Sequence, residues 1–155
     1  MALLLAACGA PDDGPPGSCG PSSATVERVI DGDTIMLTDG TRVRYLLINA
    51  PETTLGHHDC YGAEATDFNR SLVDGQRVEL GYDVRCLDKY GRTLAFIRSG
   101  GIDVNRALID RGLACYEFIP PDGEARHEEF KSAESVAKAN RIGLWGACAT
   151  VTCGG

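Results

Sequence analysis

Residues 26–53 read VERVIDGDTIMLTDGTRVRYLLINAPET, and three strands can be cut from them. Ala24–Ile30 alternates apolar and polar side chains until Val29 and Ile30 break the pattern, and Thr34–Thr38 is β-branched and apolar. Arg42–Ile48 makes the third strand. Asp39-Gly40 separates the last two and supplies the chemistry of a two-residue hairpin, whose central residues take positive φ. Further on, Arg77–Val84 and Thr93–Arg98 have strand character. Helical spacing runs through Ala65, Phe68 and Leu72 in Ala63–Val73, and through Phe130, Ala133 and Ala137 in Gly123–Asn140. A third helix, Val104–Arg111, has Asp103 placed to cap its first turn and Gly112 to stop it. Five short strands with about three α-helices make an α+β chain, and a helix between strands three and four suits a closed five-stranded barrel.

The 155 residues suffice for one domain with a real core. With 43% hydrophobic and 24% charged residues, wholesale disorder is excluded. The net charge of −7 excludes a broadly basic nucleic-acid coat while leaving room for a local basic patch. No apolar run approaches the ~20 residues that span a bilayer. Met1–Ala7 is short and apolar, and Leu5-Ala6-Ala7-Cys8 resembles the lipobox of bacterial lipoproteins. Residues 1–8 are therefore expected to be an export signal with its basic end clipped, with a lipid on Cys8 as the link to a membrane. Eight of the fifteen residues 9–23 are Gly or Pro, the composition of a tether, and 24–155 is the expected domain. Besides Cys8 there are six cysteines, an even number that in an exported domain implies disulfides. Of about 15 connectivities, the first expectation pairs Cys60 with Cys86, Cys115 with Cys148 and Cys19 with Cys153.

Three polar clusters punctuate the strands. Asp31-Gly32-Asp33-Thr34 has turn composition, and Arg42 stands where a calcium-binding EF-hand loop needs a glutamate. Arg44 sits in a strand beside Leu46 and Leu47, where a guanidinium needs a partner or a ligand. Asp88-Lys89-Tyr90-Gly91-Arg92 leads into the fifth strand. Together Asp33, Asn49 and Glu52 offer hard oxygen donors, which select Ca²⁺ or Mg²⁺ over zinc, and the arginines offer paired donors that match phosphate oxygens. His57-His58-Asp59-Cys60 is expected to be surface loop rather than a metal cluster, Trp145 to dock the C-terminal segment, and Glu128, Glu129 and Glu134 to face solvent on the last helix.

In this order and register, the stretches Val29–Thr34, Arg44–Thr53, Tyr61–Ala65, Asp88–Ala95, Val104–Leu108 and Gly112–Ala114 resemble the staphylococcal nuclease (thermonuclease) family, over roughly Ala24–Trp145. The resemblance implies a five-stranded OB-fold and a monomeric Ca²⁺-dependent nuclease that cuts DNA and RNA at the 5′-side P–O bond, leaving 3′-phosphates. It implies that Asp33 and the backbone carbonyl of Ala50 ligate Ca²⁺, with Asn49 alongside and Asp31 behind them. Glu52 would hold or deprotonate the attacking water, Arg44 and Arg92 would clamp the phosphate, and Lys89 and Tyr90 would meet a neighbouring phosphate. Two departures stand out. Asn49 replaces an expected aspartate, so a charge is lost and Ca²⁺ binding should weaken by tens-fold. Phe118 and Pro120 stand where base-packing tyrosines are expected, leaving Phe118 to stack on a base. The polyanion would then rest on a local patch of Arg44, Lys89, Arg92, Arg42 and Arg85, with a shallow salt dependence. The rival reading is a non-catalytic OB-fold module with a weakened metal site, which Asn49 favours and the presence of Asp33, Arg44, Glu52 and Arg92 opposes.

Overall fold

The computed structural model describes residues 19–153, so Cys8, the lipobox-like tetrad and most of the tether lie outside the described residues. Five strands close a barrel: β1 (Ser23–Asp31), β2 (Thr34–Leu37), β3 (Arg42–Tyr45), β5 (Arg77–Gly81) and β6 (Thr93–Ser99). Their order is β3-β2-β1-β5-β6, and a parallel pairing of β3 with β6 seals the ring. Short pairs β4 (Ile48–Asn49) and β8 (Cys115–Tyr116), and β7 (Ile102–Asp103) beside β6, sit at the margins. Helices α1 (Gly62–Val73), α2 (Val104–Asp110), α3 (His127–Ala139) and the single turn α4 (Leu144–Ala147) complete the α+β OB-type fold.

Local signals explain most of this. In β1 the alternation breaks because the register with β2 shifts twice, between Val26 and Arg28 and again between Val29 and Asp31. The β2–β3 hairpin differs from expectation. Of its turn residues, Gly40 takes positive φ (+87°) and Asp39 does not. The Asp39 side chain instead accepts from Thr41 N at 2.8 Å, and Leu37 N donates to Thr41 O across a three-residue loop. Asp103 caps α2 by accepting from Arg106 N, and Gly112 (φ +59°) ends that segment. Phe130, Ala133 and Ala137 are the buried face of α3. That helix starts at His127 rather than Gly123, because Gly123 has φ +84° and packs against Leu47 with no room for a Cβ. Glu134 is not on the wet face: it accepts from Tyr116 N at 2.8 Å and Lys138 Nζ at 2.8 Å.

Long-range contacts decide the rest. The expected strand Arg42–Ile48 splits in two at Leu47, whose φ is +64°. This break is held by Asn105, fully buried on α2, which donates to Leu46 O at 2.9 Å and accepts from Ile97 N at 2.9 Å. A second fully buried amide, Asn69 on α1, accepts from Tyr45 Oη at 2.8 Å and donates to Asp31 O at 3.0 Å. The two asparagines satisfy backbone groups that the strand break and the β1 bulge leave over. All three disulfides differ from the expected pairing: Cys19–Cys86, Cys60–Cys148 and Cys115–Cys153. Topology is the reason. Residues 19–23, expected in the tether, run beside β5, with Leu80 N on Ser22 O and Tyr82 Oη on Pro21 O, which carries Cys19 to Cys86. Cys148 at the end of α4 reaches Cys60 just ahead of α1, and Cys153 returns to β8.

Candidate active site

The site is built on the rim where the β1–β2 turn meets the end of β4. Gly32 in the turn lies so close to Ala50 and Ala65 that a Cβ would stand 2.7 Å and 2.8 Å from theirs. That close approach turns Asp33 inward, where it is 5% exposed. Its Oδ2 accepts from Ala50 N at 2.7 Å, and its Oδ1 accepts from Thr34 Oγ1 at 2.9 Å and faces Arg44 Nε at 3.2 Å. Arg44, 9% exposed, spends its remaining donors on the protein. Nη1 donates to Tyr45 O and Ile48 O, both at 2.7 Å, and Nη2 to Asn49 Oδ1 at 3.1 Å, with Glu117 Oε2 at 3.5 Å. The broken strand is what brings the Ile48 carbonyl back to Arg44.

Glu52 is organised by its neighbours. Its Oε1 accepts from Thr53 N, Thr54 N and Thr54 Oγ1 at 2.9, 2.7 and 2.5 Å, while Glu52 N donates to Asp59 Oδ2 at 3.0 Å. Burial pushes this carboxyl up, but the bonds from Thr54 and Thr53 outweigh it and hold the group below the usual range. Glu52 is therefore an anion at neutral pH. Its Oε2 accepts no hydrogen bond among the described residues.

A cleft of about 280 Å³ gathers the basic residues Arg44, Arg85, Lys89 and Arg92, with Tyr90 and Glu117 also in its lining. Arg92 donates through Nε to Asp88 Oδ2 at 2.7 Å and through its backbone N to Asp88 Oδ1 at 3.0 Å. The two terminal nitrogens of Arg92 donate no bond among the described residues, so one edge of the guanidinium is fixed and the other is free. Burial opposes ionisation of Asp88, but the bonds from Arg92 prevail and hold its carboxyl low, so this anchor stays charged. Lys89 and Arg92 lie 5.0 Å and 5.4 Å from the exposed Tyr90 ring. Arg85 pairs with the buried Asp122 at 2.5 Å, and Arg42, at the exposed start of β3, does not line the cleft. Phe118 does not line it either. With Glu117 turned to Arg44, Phe118 stacks on His127 (centroids 4.6 Å apart, planes at 17°), and exposed Ile119 takes the place at the cleft. A larger groove of about 720 Å³ over β5 and β6 contains none of the residues singled out above as candidates.

The donors on the rim suit a hard cation in kind, being all oxygen, and their charge suits one too. Burial above all, and then the Asp33 carboxylate beside it, push Asp31 up to about 7, while Asp33 itself already faces Arg44 Nε at 3.2 Å. Among the described residues, however, no three His, Cys, Asp or Glu side chains form a metal-holding group, and the Asn49 oxygen is turned to Arg44. A pH dependence follows from Asp31. Because its folded pKa is raised, the stabilisation it gives is complete below its ordinary value of 3.8 and is lost as pH rises through about 7. Without divalent cations, stability should fall across that window by up to about 1.4 kcal/mol per pH unit. Urea unfolding in chelator should show this slope, and Asp31→Asn should flatten it; an unchanged slope in the variant would assign it elsewhere.

Two residues of the site carry no signal in sequence. Glu117 is a single acid between two aromatic residues, and the β4–β8 pairing of Asn49 with Cys115 brings it to Asn49. Asp59, which receives Glu52 N, sits in the loop expected to be plain surface.

The family profile described as "Staphylococcal nuclease homologue" matches residues 42–147. The chain is 38% identical over 128 residues to a thermonuclease of Staphylococcus intermedius, covering 79% of this chain and 76% of the relative. It is 35% identical over 144 residues to a thermonuclease of Staphylococcus hyicus, covering 86% and 85%. With the SPbeta prophage-derived endonuclease YokF of Bacillus subtilis it shares 35% identity over 128 residues, which is 78% of this chain but 43% of the length of that relative.

Proposed function

This chain belongs to the staphylococcal nuclease family, and on that footing we propose that it is a nuclease hydrolysing phosphodiester bonds of DNA and RNA, with Ca²⁺ as cofactor and 3′-phosphates as products. One observation carries the reading: Arg92 is clamped on one edge by Asp88 and open on the other, in the cleft that Arg44 also lines. A guanidinium held this way offers two preorganised donors to phosphate oxygens and needs no reordering as charge builds on them. Arg44 adds fixed positive charge beside it. Glu52, kept anionic by Thr53 and Thr54, has one oxygen left to orient the attacking water, and its depressed pKa suits it better to positioning than to proton removal. Lys89 and Tyr90, exposed at the cleft mouth, suit a neighbouring phosphate. Asp33, Asn49 and the Ala50 carbonyl are the oxygens that would hold Ca²⁺, with Asp31 behind them, and the ion when bound would neutralise charge on the scissile phosphate.

Three disulfides support work outside the reducing cytoplasm. A lipid on Cys8 and a monomeric state are proposed with the rest. The second reading, a binding module without catalysis, is favoured by Asn49 alone. Incubating the purified protein with denatured DNA or RNA, in Ca²⁺ or in chelator, separates the two. The nuclease should release acid-soluble fragments with 3′-phosphate ends in Ca²⁺ and little in chelator; binding without cleavage in both would establish the module.

A further inference from the structure

Glu117 follows β8 and is brought to the rim by β4, whose Asn49 pairs with Cys115, and by Glu117 N donating to Leu47 O at 3.0 Å. Its Oε1 accepts from Asn49 Nδ2 at 3.2 Å, and its Oε2 faces Arg44 Nη2 at 3.5 Å. Asn49 is thus a neutral bridge, its oxygen on Arg44 and its nitrogen shared between Glu117 and the Cys153 carbonyl at 3.1 Å. An aspartate at 49 could make neither donation and would set a like charge against Glu117. Building on the nuclease reading, we propose that Glu117 is a positioning residue of the site: it supplies the negative charge that Asn49 lacks and aligns the outer nitrogen of Arg44.

The geometry separates this from a structural role. The Glu117 side chain is 37% exposed and its contact with Arg44 is long, so the pair contributes little to stability. What it can set is the direction of Arg44 and the potential at the rim, and loss of such outer partners typically costs about 10–100-fold in metal affinity or activity.

The test uses the full chain as wild type, Glu117→Gln, Asn49→Asp and the double variant, read by kcat/KM on denatured DNA and by calorimetry of Ca²⁺ alone. Glu117→Gln should lower kcat/KM and weaken Ca²⁺ binding about tenfold or more each, with an unchanged unfolding midpoint. Asn49→Asp alone should improve neither, while the double variant should recover most of both losses. The inference is overturned if Asn49→Asp alone binds Ca²⁺ tens-fold more tightly, as expected from position 49 by itself, or if Glu117→Gln changes neither readout. A wild type that cleaves neither DNA nor RNA would end the nuclease reading, and the calorimetry across the four proteins would still decide the charge assignment.

Discussion

Arg44→Ala should abolish cleavage and, at the same time, cost about 3–5 kcal/mol of stability, the scale for stripping the partner from a buried charge. Arg44 is nearly inaccessible and is the cation against Asp33, itself 5% exposed, so its removal leaves an uncompensated carboxylate inside the rim. The carbonyls of Tyr45 and Ile48 lose their donor in the same stroke. Against a typical total of about 5–15 kcal/mol, the loss would be plain in urea unfolding. Arg44→Lys keeps the charge but cannot serve Asp33, two carbonyls and Asn49 from one nitrogen, so it should fall between wild type and alanine. An unfolding midpoint equal to wild type in Arg44→Ala would show that the buried network does not hold the rim.

Arg92→Gln should behave in the opposite way, leaving stability nearly intact while kcat/KM falls by about 10²–10³, the usual effect of losing one preorganised donor to a developing charge. The Arg92–Asp88 pair is partly exposed, with the arginine side chain 25% accessible, and pairs of that kind hold little of the fold. Its free edge has no structural partner among the described residues, so its value must appear with substrate present. The loss should fall on kcat more than on KM if the donors strengthen in the transition state. Equal rates for Arg92→Gln and wild type would remove Arg92 from the chemistry and, with it, the observation on which the nuclease reading rests.

Which parts were legible in the sequence follows from the range of the forces involved. The first two strands, the Asp103 cap, the Gly112 stop and the Phe130–Ala133–Ala137 face are written in neighbouring residues, and local sterics and periodicity settle them. The break at Leu47 is not, because Asn105, far along the chain on α2, holds it. The same holds for the cysteines, whose partners depend on how the barrel folds back on its own ends. In the site, the motif residues Asp33, Arg44 and Arg92 announced themselves as charges in or beside strands. Glu117 does not, since its place is set by Asn49 across the β4–β8 pair, and Phe118 turns to His127 because neighbouring positions on an extended segment face opposite sides.

The staples at Cys19–Cys86 and Cys115–Cys153 have a consequence for survival rather than for chemistry. Loose chain termini are where exopeptidases begin and where local melting starts. Here the segment ahead of β1 is fastened covalently to Cys86 and the segment after α4 to Cys115 on β8, and the second bond lies against Asn49 itself. Held at those two points, neither segment can peel away without breaking a covalent bond, so local melting there is kept from spreading to the rim.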